Sequence, residues 1–267
     1  MLLNPFTNAM SSILFQIEGS VAIITLNRPE KFNSFNREMA LLLQKVLDDC
    51  AADKNIRSIY VTGNGKAFCA GQDLGELAGE NAPGFDVILA EHYNPIVTRI
   101  RNIEKPVVCA VNGVAAGAGA NIALCCDIVV ATVSASFIQA FSKIGLIPDS
   151  GGTFTLPRLT GFQKASALMM LGDKVSATEA ERMGMIYKVF ADENFAGESI
   201  KIAQTLAKMP TQGLAFTKQA LNASMNNSLE EQLKLEDQLQ YKAANTLDYN
   251  EGVAAFIEKR APVFKGE

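Results

Sequence analysis

A single carboxylate, Asp149, lies in the otherwise uncharged segment Gly145–Gly152, whose sequence is GLIPDSGG. The stretch around it, Ile128–Leu156, is one of the least charged parts of the chain. A lone carboxylic acid in apolar surroundings can have a raised pKa and exchange protons near neutral pH. The local alternative is that Asp149 or Ser150 caps the helix expected after the turn. Taken alone, the segment favours the helix cap.

Two segments rich in small residues can bring backbone N–H groups close to a ligand. Ala115–Asn121 (AAGAGAN) follows an expected strand and opens an expected helix, and Lys66–Leu74 (KAFCAGQDL) also follows a strand. Backbone N–H groups at a helix start carry partial positive charge and bind developing anions. If each turn donates one N–H to the same oxygen, the pair forms an oxyanion hole, in which one donor is worth about 2.7–4 kcal/mol. Tight helix–sheet packing is the alternative explanation for Ala115–Asn121.

Several other chemistries are excluded by the same residues. The dinucleotide fingerprint fails because Ile122 stands where the third glycine after Gly117 and Gly119 is needed, and the chain has no P-loop sequence. The only histidine, His92, is expected on a surface or a helix face, so a Ser-His-Asp relay has no support. A metal site built on several imidazoles is excluded, and we expect no metal.

The composition indicates one globular unit with a large core. The chain has 267 residues, of which 48% are hydrophobic and 19% are charged, and its formal net charge is -4. The absence of a dense Lys/Arg run argues against nucleic acid and against an anionic membrane as partners. Five cysteines without a CxxC pair favour reduced thiols in a cytoplasmic protein. The apolar run Pro106–Cys126 contains polar and small residues, which indicates a buried strand, loop and helix.

Strand and helix patterns alternate over the first two-thirds of the chain, and helices fill the last third, which predicts an α/β core with a helical C-terminal subdomain. We place the core at residues 12–195 and the helical subdomain at 196–267. Among the individual elements, we predict a helix over Arg37–Ala52 capped by Asn36, a helix over Asp86–Ile103 and a strand over Met185–Val189.

The chain resembles the crotonase (enoyl-CoA hydratase/isomerase) superfamily. The resemblance runs from about Ile13 to Lys265 and rests on several motifs in the right order: LNRPEKFNS from Leu26, AFCAGQDL from Ala67, GVAAGAGANIALCCDI from Gly113, GLIPDSGGT and LPRL from Gly145 to Leu159, and the ending Glu251–Arg260. It implies a spiral of β-β-α units, a homotrimer or dimer of trimers, and an acyl-CoA thioester substrate. No cofactor is implied beyond the coenzyme A that the substrate carries.

The resemblance also implies roles for particular residues. The N–H groups of Gln72 and Ala118 would hold the thioester oxygen as it becomes an enolate. Substrate contacts are implied for residues of the two turns and for residues of a cleft with basic and aromatic side chains. These residues are Ala70, Gly71, Asp73, Leu74 and Gly117 in the turns, and Arg28, Lys31 and Phe32 in the cleft. Judged from its own position, Asp73 is interpreted as a structural acid of the turn. Lys259 matches the segment that reaches the adenine end of coenzyme A, often from a neighbouring subunit. A solvated surface charge is the alternative for each lysine.

Family hydratases use two glutamates to hold and split water, and the corresponding positions here carry Asn121 and Phe141. Neither side chain can act as a general base, although both are counted among the substrate contacts. Asp149 then remains as the acid/base, which favours isomerisation. Within the superfamily the chain is most similar to the isomerases of phenylacetate degradation that convert 1,2-epoxyphenylacetyl-CoA into oxepin-CoA, and it also resembles Δ3,Δ2-enoyl-CoA isomerases. A hydratase in which Asp149 alone activates water, and a non-catalytic partner subunit of a hydratase complex, remain alternatives.

Overall fold

The computed structural model of the chain describes residues 11–78 and 82–267. Within these residues there are ten strands: β1 Ile13–Glu18, β2 Val21–Leu26, β3 Ser58–Gly63, β4 Ala67–Cys69, β5 Val107–Val111, β6 Val114–Ala116, β7 Ile128–Thr132, β8 Ser136–Ile138, β9 Lys174–Ser176 and β10 Lys188–Phe190. The helices are α1 Arg37–Ala52, α2 Phe85–Val87, α3 Asn94–Asn102, α4 Ala118–Leu124, α5 Gly152–Thr160, α6 Phe162–Leu171, α7 Ala177–Arg182, α8 Asp192–Leu206, α9 Thr211–Ser224, α10 Leu229–Ala244 and α11 Leu247–Glu258. Short 3-10 helices cover Pro29–Lys31, Leu74–Leu77 and Ala140–Ile144.

The strands form two sheets between which the chain alternates. The larger sheet has the order β1-β2-β3-β5-β7-β10, and all its neighbours are parallel except β1 and β2. The smaller sheet has the order β4-β6-β8-β9. Strands β3, β5 and β7 each pass directly to β4, β6 and β8 in the smaller sheet, and helices then return the chain to the larger one. The expected spiral of β-β-α units is therefore confirmed.

Helix α1 has the predicted bounds because its local signals agree with its packing. The side chain of Asn36 accepts a hydrogen bond from the N–H of Met39, which satisfies one of the free donors at the helix start. The apolar stripe from Met39 to Cys50 is buried in the main core. A polar residue on the same helix, Gln44, is also buried, and its contacts involve the next long helical segment.

The helix predicted over Asp86–Ile103 is present but not uniform. Between α2 and α3, the segment Ile88–Tyr93 is a π-helix, in which each N–H bonds to the carbonyl five residues earlier. The amide of Gln44 donates to the carbonyl oxygens of Glu91, at 2.7 Å, and His92, at 3.3 Å. These bonds from α1 hold the π-turn against the core. Sequence periodicity alone does not show such an insertion.

Helix α8 covers the second face of the larger sheet. Its residues Phe195 and Ala203 join a buried cluster with Val21, Tyr60 and Val108 from three strands. The predicted domain boundary between residues 195 and 196 falls inside this helix. The helices α9, α10 and α11 follow, so the last part of the chain is helical as expected.

Two sequence predictions need correction. The predicted strand Met185–Val189 is wrong in its bounds, since β10 covers Lys188–Phe190. Met185 and Ile186 are apolar because they pack in the main core ahead of the strand. The short strands β6 and β9 were not predicted, since three residues are too few to show an alternating pattern. Pro106–Cys126 forms β5, β6 and α4, and over the described ranges no helix has the length and apolar character to span a bilayer.

A buried lysine ties the C-terminal helices to the core. Lys218 of α9 donates from Nζ to the backbone oxygens of Ile100, at 2.7 Å, and Lys105, at 3.2 Å, and to the carboxylate of Asp127, at 2.7 Å. Asp127 also accepts a hydrogen bond from the N–H of Val107 at the start of β5. Asp127 therefore joins the start of β5 to the buried lysine of α9.

Candidate active site

The two turns rich in small residues meet at one place in the fold. Gly71 follows β4 with a φ of 91°, a backbone conformation that favours glycine. A Cβ atom at Gly71 would lie 3.0 Å from the carbonyl oxygen of Ala116 and 3.5 Å from the nitrogen of Ala118. The parallel pairing of β4 with β6 brings the ends of these strands side by side. The first turn therefore contacts the start of α4.

In each turn one backbone N–H group, that of Gln72 or that of Ala118, donates to no acceptor among the backbone hydrogen bonds of the described residues. Gln72 forms an isolated parallel bridge with Phe35, in which Phe35 donates to the carbonyl of Gly71 and Asp73 donates to the carbonyl of Phe35. This pairing directs the N–H of Gln72 away from Phe35. Ala118 is the first residue of α4, where an N–H has no intrahelical partner. The arrangement can hold one developing oxyanion between two donors.

A cavity of about 220 Å³ opens beside these two donors. Its described walls are mostly apolar and include one carboxylate, that of Asp149. The residues that line it are Ala70, Gly71, Gln72, Leu74, Leu77, Phe85, Ile88, Tyr93, Gly117, Ala118, Ala140, Phe141, Lys143, Ile144, Leu146 and Asp149. The three predicted catalytic residues, Gln72, Ala118 and Asp149, therefore share one cavity. Five predicted substrate contacts line it as well: Ala70, Gly71, Leu74, Gly117 and Phe141.

The turn that carries Asp149 is made by two residues with positive φ, Ser150 at 52° and Gly151 at 74°. Such a conformation at a buried serine costs free energy and occurs often at functional sites. The helix-cap alternative is wrong, because α5 begins after Gly151 and no side chain caps it. The hydroxyl of Ser150 instead donates to Oδ1 of Asp149 at 2.9 Å. The turn is built to present the carboxylate to the cavity.

Burial raises the pKa of Asp149 above its ordinary value of 3.8, and the hydrogen bond from Ser150 partly opposes this shift. Desolvation dominates because the surrounding walls are apolar and no cation pairs with the carboxylate among the hydrogen bonds and ion pairs of the described chain. A carboxylate with a raised pKa is a stronger base than an exposed one, so Asp149 is suited to accept and return a proton.

Asn121 is fully buried and lies behind the cavity rather than in its wall. Its Nδ2 donates to the backbone oxygen of Asp149 at 2.9 Å, and its Oδ1 accepts from Nε2 of Gln139 at 2.7 Å. Both ends of the amide are therefore occupied by the protein. Phe141 does line the cavity, and its ring lies 3.8 Å from where a Cβ atom of Gly117 would be.

Arg28 and Asp73 are paired with each other outside the cavity lining. Arg28 donates to the Asp73 carboxylate at 2.8 Å and to the backbone oxygen of Ser34 at 2.6 Å. Asp73 also accepts from the N–H of Gly75 at 3.0 Å. The hydrogen bond from Arg28 holds the pKa of Asp73 below its usual value. The pair braces the turn that carries Gln72, which matches the interpretation of Asp73 as a turn acid.

The other predicted coenzyme A contacts lie farther out. Lys31 and Phe32 are exposed in the loop after β2, and the backbone oxygen of Phe32 accepts from the N–H of Ala70 at 3.0 Å. This loop therefore lies directly beside the first donor turn. Lys259 is exposed at the C-terminal end of α11 and is not among the residues that line the cavity of the same chain.

His92 was expected on a surface or a helix face. It does lie in a helical segment, but it is buried, with only 1% of its surface exposed. Its Nε2 lies 3.3 Å from Nη1 of Arg37, and Nδ1 has no partner among the described residues. Arginine only donates, so Nε2 is the acceptor and the proton resides on Nδ1. Burial, together with the charge of Arg37, lowers the pKa of His92.

Eight of the sixteen residues that line the cavity were not named individually from the sequence, although four of them lie in Gly75–Tyr93, the segment expected to form the lid of the pocket. These residues come from the 3-10 helix Leu74–Leu77, from α2, from the π-helical segment, and from the 3-10 helix Ala140–Ile144 and the residues after it: Leu77, Phe85, Ile88, Tyr93, Ala140, Lys143, Ile144 and Leu146. Most of them are apolar and read as ordinary core. Tyr93 offered one usable signal, because a buried tyrosine needs a partner for its hydroxyl.

Comparison with known proteins agrees with this geometry. Residues 16–267 match the enoyl-CoA hydratase/isomerase family. The chain is 48% identical to a 1,2-epoxyphenylacetyl-CoA isomerase of Escherichia coli K12, over 97% of this chain and 100% of the relative. It is 34% identical to a 2,3-dehydroadipyl-CoA hydratase of the same organism, over 96% and 100%. The crystal structure of an enoyl-CoA hydratase from Bacillus anthracis superposes with a TM-score of 0.89 at 34% identity, over 96% of this chain and 100% of that one. The chain belongs to the enoyl-CoA hydratase/isomerase family, and its fold is the crotonase fold.

Proposed function

We propose that this protein is an acyl-CoA isomerase in which Asp149 moves a proton between two carbons of a thioester enolate. The observation that carries the proposal is the composition of the cavity. Asp149 is the one carboxylate in its described walls, and it faces the turns that carry the free N–H groups of Gln72 and Ala118. One base beside an oxyanion hole is sufficient for a proton shift.

The chemistry balances with these groups alone. A β,γ-unsaturated thioester gives its α proton to the Asp149 carboxylate, and the electrons of the broken C–H bond pass to the thioester oxygen. That oxygen accepts hydrogen bonds from the N–H groups of Gln72 and Ala118 while it carries the negative charge. Asp149 then returns the proton to the γ carbon, and the double bond moves into conjugation with the carbonyl group. Substrate and product have the same atoms, and Asp149 regains its charge.

Hydration requires a second acid/base group, and the described walls of the cavity contain no carboxylate besides that of Asp149. Adding water across a double bond requires one group to take a proton from water and another to deliver a proton to carbon. The two positions that carry glutamates in family hydratases hold Asn121 and Phe141, and the amide of Asn121 is bonded to Asp149 and Gln139. The apolar walls also offer few partners for an ordered water.

A ring epoxide is the finer proposal for the substrate, because a relative at 48% identity is a 1,2-epoxyphenylacetyl-CoA isomerase. Opening an arene epoxide to the isomeric seven-membered oxepin breaks the carbon–carbon bond shared by the two rings and moves no proton. The oxepin is then a β,γ-unsaturated thioester whose α carbon is the side-chain CH₂. The same transfer by Asp149, from the α carbon to the γ carbon of the ring, completes the isomerisation. The aromatic and aliphatic walls suit such a ring.

The experiment compares three thioesters with one enzyme preparation. A 3-enoyl-CoA and the epoxide of phenylacetyl-CoA are assayed for isomerisation, and crotonyl-CoA is assayed for hydration. We expect isomerisation of the 3-enoyl-CoA at a rate at least ~100-fold above hydration. Faster hydration of crotonyl-CoA would show a hydratase. If neither reaction occurs unless a hydratase is added, the chain is a partner subunit. Turnover of the epoxide shows whether a ring epoxide is a substrate.

We also propose that the chain assembles as a trimer or a dimer of trimers through contacts that include helices α6 and α11. The support is a set of large apolar side chains left exposed on α6 and α11: Phe162, Met170, Phe256 and Ile257. Contact between subunits would remove these apolar side chains from water, which favours association. Lys259 at the end of α11 would then reach the coenzyme A of a neighbouring subunit. Light scattering should give three or six times the chain mass of 28.7 kDa, and a monomer mass would contradict the proposal.

A further inference from the structure

Tyr93 is a buried phenol whose hydroxyl reaches the oxyanion turn. The residue is 1% exposed at the end of the π-helical segment Ile88–Tyr93. Its hydroxyl donates to Oε1 of Gln72 at 2.7 Å. Burial raises the pKa of the Tyr93 hydroxyl well above its usual value, so the group stays protonated and donates. Gln72 is the residue whose backbone N–H faces the cavity.

The ring of Tyr93 holds the other partner of the same turn. It packs edge-to-face on Phe35, with ring centroids 5.9 Å apart and an interplanar angle of 85°. Phe35 is the residue whose backbone clamps Gly71 and Asp73 on either side of Gln72, at 2.7 Å and 2.8 Å. Tyr93 thus contacts the side chain of Gln72 through its hydroxyl and the backbone clamp through its ring.

The amide of Gln72 is fixed at both ends. Its Nε2 lies 3.2 Å from Oε2 of Glu76, and the carboxylate of Glu76 also accepts from the N–H of Arg37 at 3.0 Å. Oε1 therefore faces the Tyr93 hydroxyl and Nε2 faces the carboxylate, which is the only orientation in which both contacts are favourable. The side chain of Gln72 has little freedom to rotate, and neither has the peptide plane attached to it.

We infer that Tyr93 is a positioning residue that keeps the N–H of Gln72 aimed at the thioester oxygen. The π-turn serves this role, because it brings Tyr93 to the cavity while Gln44 satisfies the carbonyls that the turn frees. The hydroxyl proton is committed to Oε1 of Gln72, so Tyr93 acts through that residue rather than on the substrate. The inference rests on the oxyanion hole of the proposed function and not on the identity of the acyl group.

The test is the enolisation of bound acetoacetyl-CoA, a β-keto thioester whose enolate absorbs in the near ultraviolet. This probe reports the strength of the oxyanion hole and needs no turnover, so it remains valid if isomerisation is not the reaction. We expect Tyr93→Phe to raise the pH of half-enolisation by about one unit, a tenfold loss that is smaller than the ~10²–10³ lost with a donor itself. For the isomerisation reaction, kcat should fall about tenfold and KM should stay within about twofold.

Two further variants separate positioning from a general loss of stability. Tyr60→Phe removes another buried tyrosine hydroxyl, which lies 2.8 Å from Oγ of Ser199. Tyr60 does not line the cavity, so this variant should leave enolisation unchanged. Gln72→Met removes the acceptor but keeps the backbone N–H. The double variant Tyr93→Phe/Gln72→Met should be no worse than the more impaired single variant. Additive losses, or wild-type enolisation by Tyr93→Phe, would overturn the inference. If the wild type itself stabilises no enolate, the oxyanion hole is wrong as well.

Discussion

The side chain of Asn121 donates from Nδ2 to the backbone oxygen of Asp149 at 2.9 Å. The same oxygen accepts from the N–H of Gly152 at 2.8 Å. Asn121 lies three residues after Ala118 on α4. The same short helix therefore carries an oxyanion donor at its first residue and holds the backbone of Asp149 through Asn121. A Cβ atom at Gly152 would lie 2.3 Å from Nδ2, which shows how closely the two segments approach. The distance between base and oxyanion hole is therefore set by one rigid element.

Replacing Asn121 by alanine should uncouple the acid from the oxyanion hole. The variant removes the bond to Asp149 and leaves Gln139 without its acceptor, at a cost of about 1–3 kcal/mol in the free energy of unfolding. We expect kcat for isomerisation to fall about 10- to 100-fold, because small displacements of a catalytic group are costly. Steady-state kinetics and thermal melting measure both effects.

The matched control for this variant is Asn55→Ala, which removes an exposed asparagine whose amide donates to the Asp53 carboxylate at 2.9 Å. Its kcat should equal that of the wild type. An Asn121→Ala enzyme with wild-type kcat would show that Asp149 holds its position without this bond.

Replacing Ser150 by alanine should change the pH dependence of the reaction. The hydroxyl of Ser150 donates to Oδ1 of Asp149 and lowers the pKa that burial has raised. Without it, the pKa of Asp149 rises further, and a higher pH is needed to ionise the base. The acid limb of kcat/KM should therefore move to higher pH. A limb at an unchanged pH would mean that another group, and not Asp149, sets it.

The one histidine should make the fold less stable in mild acid. Burial and Arg37 lower the pKa of His92 below 6.5, while Glu76 and Glu91 oppose the shift. At a pH between the lowered value and 6.5, the unfolded chain binds more protons than the folded one, so the free energy of unfolding falls as the pH drops below 6.5. His92→Gln, which has no titrating ring, should lose this part of the pH dependence. If the free energy of unfolding depends on pH in the same way for both proteins over this range, His92 is not the group responsible.

How much the sequence could predict depended on the kind of signal that each element carries. Helix α1 has a cap, a stripe and clear ends, so its bounds were predicted correctly, and the glycine-rich turns before Gln72 and Ala118 were placed in one site by the family motifs. The π-turn before Tyr93 leaves no mark in the hydrophobic pattern. His92 was expected on a surface or helix face, because nothing in its neighbours shows that Gln44 and Arg37 approach it from another helix.

The role of Asp149 could not be predicted from its local sequence alone. The segment around Asp149 has the residue types of a helix cap, and only the backbone reveals that Gly151 takes the cap position while the carboxylate bonds to Ser150. Similarly, Asn121 was expected beside the substrate, and its contacts place it behind Asp149. Both outcomes depend on tertiary approach of α4 and the 149–152 turn, which single-segment patterns do not encode.

The measurement that tests the account most directly is Asp149→Asn in the 3-enoyl-CoA isomerisation assay, run beside thermal melting. The amide keeps the shape of the carboxylate but cannot take up a proton, so kcat should fall by at least ~10³-fold. Because burial raises the pKa of Asp149, its charge destabilises the fold at neutral pH, and the variant should melt at an equal or higher temperature than the wild type. An Asp149→Asn enzyme that folds and retains near wild-type kcat would contradict the account.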